Sequence, residues 1–160
     1  LWRLTFADVK NPMKGATIEM LLNGGEALYL SKPDNLAIDE SGVILIQEDP
    51  GNNAHVARVL AYRISDAKLA VVAQFDKKYF ATDASSLITI DEESSGIINA
   101  NAFLKKSGDS ASYFFFNAQV HATTSKSRLE SVPVDAIDQA AIEGGQYYLL
   151  KISDWTKIFS

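Results

Sequence analysis

"LITIDEESSGIINA", Leu87 to Ala100, carries Asp91, Glu92 and Glu93 to the end of an apolar, strand-like run. A close copy lies upstream in "LAIDESGVILIQED", Leu36 to Asp49. Within them "IDESGVI" (Ile38–Ile44) matches "IDEESSGII" (Ile90–Ile98), with two residues added in the second copy. Each copy follows a pair of β-rich runs, "LWRLTF" and "TIEMLL" before the first, "LAYRI" and "KLAVVAQF" before the second. Strand, strand, acidic turn and strand thus recur at a period of roughly 50 residues, and a four-stranded propeller blade takes about 40–50.

Outward from this repeat, short β-rich runs are broken by Gly, Asn, Asp and Pro. The pattern predicts strands at Leu1–Phe6, Thr17–Leu22, Leu36–Asp39, Val43–Gln47, Ala57–Ile64 and Lys68–Phe75. Leu87–Asp91, Gly96–Asn99, Tyr113–His121 and Gln146–Ile152 follow. Helical periodicity is confined to Val134–Ala141 and Asn101–Lys105. The expected fold is all-β, built of antiparallel four-stranded blades of an incomplete β-propeller. Residues 1–22 would form a partial blade, 34–75 a full blade, and 87–152 the following blade, enlarged by an insertion around Ser125–Gly145. So few blades cannot close a ring, so the remainder of a longer chain, or a second copy, is expected to cover the open faces. A two-sheet sandwich has the same strand pattern and stays open as the alternative.

At 160 residues and 47% hydrophobic, the chain is long enough for one domain with a real core. A net charge of −5 and three scattered basic spots, Lys77-Lys78, Lys105-Lys106 and Lys126/Arg128, argue against a nucleic-acid partner. No apolar run approaches the ~18 residues of a membrane helix, and no membrane partner is expected. The absence of cysteine removes disulfides, thiolate metal sites and a cysteine nucleophile. The chain starts at Leu1, already in a strand-like run, and is read as part of a longer protein.

Four loops gather polar groups at strand ends: "KPDN" (Lys32–Asn35), "QEDPGNN" (Gln47–Asn53), "DEESSG" (Asp91–Gly96) and "NAQVHA" (Asn117–Ala122). Each alone has an ordinary reading. Pro-Asp-Asn and Asp-Pro-Gly are turn sequences, a triple acid can be a solvated hairpin end, and His55 can be a surface or capping residue. Glu48 is harder to explain, because it follows the apolar run "VILI" where burial is expected. Taken together the loops suggest a cation. Neighbouring carboxylates raise one another's pKa unless a positive charge compensates, and oxygen-rich groups without cysteine suit hard ions such as Ca²⁺. Nucleotide-loop, serine-elbow and zinc-helix motifs are missing.

"PDNLAIDESGVILIQEDPGN", "DEESSGII" and "FNAQVHA" together resemble the later part of the PhoX-type alkaline phosphatase family and its esterase-like relatives. The resemblance spans most of the chain, from Leu1 to about Leu150. It implies an exported, periplasmic or extracellular β-propeller phosphomonoesterase that holds several Ca²⁺ ions, with iron in some members. By resemblance Glu93 matches the glutamate before a Ser/Thr-Gly pair, Asp34 and Asn35 the Pro-Asp loop, and Glu48 or Asp49 the acid closing the next strand. The iron-binding members use a cysteine that this chain lacks, and basic phosphate contacts are not evident.

The expected function is therefore hydrolysis of a phosphate ester substrate, with Glu93 and Glu48 at the reaction centre. The expected ligand set is Asp34, Asn35, Glu48, Asp49, Glu92, Glu93 and His121. A noncatalytic calcium-binding propeller module, or a lactonase-like hydrolase, are the alternatives.

Overall fold

Strand periodicity puts alternate side chains on opposite faces of a sheet, and this rule governs both compact units of the chain, Leu1–Leu30 and Ser31–Ser160. The computed structural model describes residues 1–51, 55–121 and 143–160, with Glu143 described at its backbone. The helix expected at Val134–Ala141 lies outside these residues.

In the first unit Trp2–Phe6 (β1) pairs antiparallel with Ala16–Met20 (β2), Trp2 opposite Met20 and Phe6 opposite Ala16. A 3-10 turn at Pro12–Lys14 starts on proline, whose fixed φ and missing N–H suit a first helical position. Trp2, Leu4, Phe6, Ile18 and Met20 share one face of the hairpin and are exposed.

The second unit opens with a sheet whose strands follow chain order: Pro33–Ile38 (β3), Val43–Glu48 (β4), Arg58–Arg63 (β5) and Lys68–Gln74 (β6), all antiparallel. The β3–β4 turn is fixed by Asp39. Its Oδ1 accepts from the Ser41 amide at 2.9 Å, the Ser41 hydroxyl at 2.6 Å and the Val43 amide at 3.1 Å. Lys77–Phe80 (α1) follows β6, with Asp76 accepting from the Lys78 amide as its cap.

Glu92–Asn99 (β7), Ser112–His121 (β8) and Glu143–Ile152 (β9) make a three-stranded antiparallel sheet in that order. Asn101–Leu104 (α2) bridges β7 and β8, and Trp155–Ile158 (α3), capped by Asp154, follows β9. The two sheets pack face to face. Ala37, Val43, Leu45, Val59 and Ala61 of one meet Ile97, Phe114 and Ile152 of the other, with Phe159 closing the cluster. Burying a side chain the size of Leu45 or Phe114 contributes about 1.5–3 kcal/mol.

Polar side chains stitch the sheets where β7 is irregular. Its pairing with β8 shifts between Ser95 and Ile98, and Gly96 takes φ +63°. The fully buried Gln47 of β4 accepts from the Ile97 amide at 3.0 Å and donates to the Ser95 carbonyl at 3.4 Å. Asn35 of β3 accepts from the Gly96 amide at 2.6 Å and the Ser95 hydroxyl at 3.2 Å. Farther along, Asp39 Oδ2 accepts from the Ser112 hydroxyl at 2.8 Å and the Trp155 indole at 3.1 Å.

The chain is thus mostly β, in antiparallel sheets, as expected. The four-stranded sheet runs from Pro33 to Gln74, and the strand expected at Val43–Gln47 is β4. Two expectations are corrected. Leu87–Asp91 is not a strand, and most of the acidic turn expected at Asp91–Gly96, from Glu92 on, runs within β7. The repeat in sequence is therefore not one in structure: "DESG" is a hairpin turn, whereas "EESSG" runs through a strand and bulges. The reason is the neighbouring sheet. Gln47 and Asn35 satisfy the backbone of Ser95–Ile97, so the glycine bends the strand without reversing it.

Candidate functional site

The C-terminal end of β4, the N-terminal end of β7 and the C-terminal end of β8 come together, and each brings an ionisable side chain. Asp49 follows β4, Glu93 is the second residue of β7, and His121 is the last of β8. Thr89 secures the junction: its hydroxyl donates to the His121 carbonyl at 2.8 Å and accepts from the Asp91 amide at 3.0 Å. The His121 amide in turn donates to the Asp91 carbonyl at 3.0 Å.

Glu93 lies beside the Asp49 carboxyl, and its other neighbour is His121, Nε2 to Oε1 at 3.7 Å. Burial pushes the Glu93 carboxyl up, and the charge of Asp49 pushes it further, while His121 pulls the other way. Two carboxyls brought side by side repel each other unless a proton or a cation lies between them. Asp91 comes close as well. A Cβ placed on Gly51 would stand 3.1 Å from Asp91 Oδ1, 3.7 Å from Asp49 Oδ1 and 3.8 Å from Lys32 Nζ. Gly51 therefore leaves the room that this gathering of charged groups uses, and its carbonyl accepts from Lys32 Nζ at 3.3 Å.

Glu48 has a different fate. It is fully buried and held by the fork of Arg58, Nε to Oε2 at 2.8 Å and Nη2 to Oε1 at 2.7 Å. The Ser31 amide donates to Oε1 at 2.7 Å, and His55 Nε2 lies 3.3 Å from Oε2. Such a bidentate, charge-assisted arrangement saturates a carboxylate. Glu48 is an anchor that joins Ser31, β4 and β5.

Glu92 points to the opposite side of β7 from Glu93. It is 2% exposed, accepts from the Ala57 amide at 2.7 Å, and borders a cavity of about 310 Å³ with His55, Lys77 and Asp83. Burial raises its pKa, against the pull of the Ala57 amide.

Of the residues expected from sequence, Asp49, Glu93 and His121 are brought together. Glu48 and Glu92 lie in other surroundings. Asp34 is exposed on β3, and Asn35 is committed to the bulge at Ser95–Gly96. Among the described residues, no group of three or more His, Asp or Glu side chains is arranged to hold a metal ion. Lys32, Gly51 and Asp91 were not among the expected site residues. The glycine after Asp49-Pro50 was the available signal, since a tight approach of charged groups needs a position without a side chain.

No helix among the described residues is long and apolar enough to cross a membrane. No family model, no curated protein and no solved structure matches the chain.

Proposed function

We propose that this chain is a segment of an exported, metal-dependent phosphomonoesterase of β-propeller architecture, with its cation at the Asp49–Glu93–His121 junction. The observation that carries the reading is the Asp49–Glu93 pair, two acids at the ends of β4 and β7 whose proximity pushes Glu93 toward keeping its proton. A divalent cation satisfies the same two carboxylates without the proton, and the oxygen-rich donor set with a single imidazole suits Ca²⁺. This set is proposed to take a single ion, and nothing in it calls for iron.

A cation bound there would neutralise the equatorial oxygens of a phosphate monoester and lower the pKa of a water molecule. The chain's own part is to hold Asp49 and Glu93 rigidly at strand ends, to keep His121 beside Glu93, and to leave Lys32 near the same point as a positive group for an anionic substrate. Glu48 supports the site by fixing Arg58 and the Ser31 amide and does not contact substrate.

The propeller reading is supported by a meander of four strands in chain order with a second sheet stacked on its face. Further blades would cover the exposed Ile98, Phe115 and Leu149 on the outer face of β7–β9. They would come from the rest of a longer chain or from a second copy.

The protein carrying this chain should hydrolyse p-nitrophenyl phosphate in the presence of Ca²⁺, and excess EGTA or Glu93→Gln should abolish turnover. Undiminished hydrolysis in EGTA would remove the cation from the reaction. A second reading, a noncatalytic calcium-binding module, draws support from Arg58, whose guanidinium is engaged by Glu48 and so not offered to phosphate. It predicts Ca²⁺ binding with no turnover of aryl phosphate, and a lactone substrate assayed in parallel separates the lactonase-like alternative.

A further inference from the structure

The chain leaves β2 through "LLNGGE", Leu21–Glu26, the sole place in the sequence where asparagine precedes glycine. The Leu21 and Leu22 amides donate to the Leu1 carbonyl at 2.9 and 3.2 Å, so the loop starts from a fixed point. Beyond it Asn23, Gly24 and Gly25 are exposed, and Gly24 takes φ +87° with open space where a Cβ would stand. An asparagine so placed can react with its own backbone. The following peptide nitrogen attacks the side-chain carbonyl carbon and closes a cyclic imide. A side chain on the following residue ordinarily hinders that approach, and glycine has none.

Three hydrogen bonds hold the reacting groups. Asn23 Oδ1 accepts from the Gly25 amide at 2.7 Å, an Asx turn that curls the side chain back over the Gly24 peptide. A Cβ on Gly25 would come within 3.1 Å of that oxygen, so the second glycine keeps this contact open. The Gly24 N–H, the attacking group, donates to Glu26 Oε2 at 2.9 Å. The Asn23 amide donates to Glu26 Oε1 at 2.8 Å and fixes the carboxylate in place. Donation from the Asn23 amide is the chief cause that holds the Glu26 carboxyl below its usual range, so the ionised form faces Gly24 at neutral pH.

We infer that Asn23 is a self-modification site, which deamidates through a succinimide with Glu26 as the base and the Gly25 amide as the oxyanion donor. The Gly24 nitrogen forms a bond to Asn23 Cγ while its proton passes to Glu26 Oε2, a hydrogen-bond length away. The charge that develops on Oδ1 meets the Gly25 N–H, which already points at that atom. As the carbonyl reforms, the Cγ–Nδ2 bond breaks, and Glu26 returns the proton to the departing nitrogen, which leaves as ammonia. Water then opens the imide at either carbonyl and leaves an aspartyl or an isoaspartyl residue. The balance is one water consumed and one ammonia released. The new carboxylate sits in the loop that Glu26 closes, and like charges repel, so the product loosens the clamp that formed it. The site is independent of the proposed phosphatase reaction.

The test incubates the full chain at neutral pH beside a synthetic peptide of residues 19–30, which has the same sequence without the hairpin. Peptide mapping by mass spectrometry, with enzymatic isoaspartyl labelling, follows Asn23, and ammonia release gives the rate. Asn23 should react about tenfold faster in the chain than in the peptide, a modest share of what a positioned base supplies. Glu26→Gln should remove that advantage in the chain and change the peptide little. Gly25→Pro, which takes away the donor to Oδ1, should slow the chain as well. The loop is exposed, so both variants should keep the far-UV circular dichroism of the parent. The inference is overturned if Asn23 outlasts the asparagine of the peptide, if Glu26→Gln leaves the chain's rate unchanged, or if it slows the peptide as much.

Discussion

Glu48 and Glu93 end up in opposite chemical situations although both lie at the ends of paired strands. Glu48 is dry but fully compensated by Arg58, the Ser31 amide and His55. Removing one partner leaves a buried charge alone, so Glu48→Gln or Arg58→Met should each cost about 3–5 kcal/mol in urea unfolding. Glu93 faces another carboxyl, and its pKa is raised by burial and by Asp49. An acid whose folded pKa lies above its unfolded value binds more protons when folded, so stability should fall as pH rises from the unfolded value, about 4.3, through the raised one. Glu93→Gln should erase that slope and stabilise the ion-free protein at neutral pH, as read by melts across pH. Asp39 behaves in the other sense. Burial opposes its ionisation, but the Ser41 and Ser112 hydroxyls and the Val43 amide outweigh it and hold the carboxyl below the usual range. Its contribution is present above about pH 3.9 and is lost as pH falls through the lowered value, a loss Asp39→Asn should abolish. That Glu48 would be buried was legible, because it ends an apolar run. Its pairing with Arg58 was not, since that depends on how two strands register, and composition leaves register open.

At the level of elements, strand positions were readable from alternation and turn residues, because each strand is short and one face meets the core. What misled was "DEESSG", whose likeness to "DESG" suggested a second hairpin. Whether a glycine reverses a strand or only bulges it is decided by what meets its backbone, here Asn35 and Gln47 from residues far upstream. Gly96→Ala should cost about 1–2 kcal/mol from the left-handed backbone alone. It should cost more in practice, because the new Cβ would lie 2.7 Å from Asn117 Oδ1. Gln47→Leu strands the Ile97 amide in the core and should cost about 1–3 kcal/mol. Faster amide exchange at Ile97 in that variant would be the specific sign. An unchanged exchange rate there would show that Gln47 does not hold the bulge.

For the molecule as a whole, the convergence of acids was legible as a tendency: several loops carried them, and three residues named from sequence, Asp49, Glu93 and His121, do meet. The membership of the set was not legible, because Glu48, Glu92 and Asn35 are drawn into packing by partners that only the folded sheets supply. If Ca²⁺ binds the folded form alone, 100 times its Kd should add about 2.7 kcal/mol. For a chain of this size that raises Tm by roughly 5–10 °C. Asp49→Asn should remove most of the shift, and a Ca²⁺-indifferent melt would count against the junction as a cation site. Asp39 has a different reach. Its carboxylate waits for Trp155, 116 residues downstream. On the ribosome, the early sheet is made with Asp39 Oδ1 already bound to Ser41 and Val43 but Oδ2 still waiting, and the pairing completes only once Ser112 and Trp155 have emerged. Closure of this unit therefore waits for residues far downstream of its first sheet, and pairing over such a sequence separation slows folding.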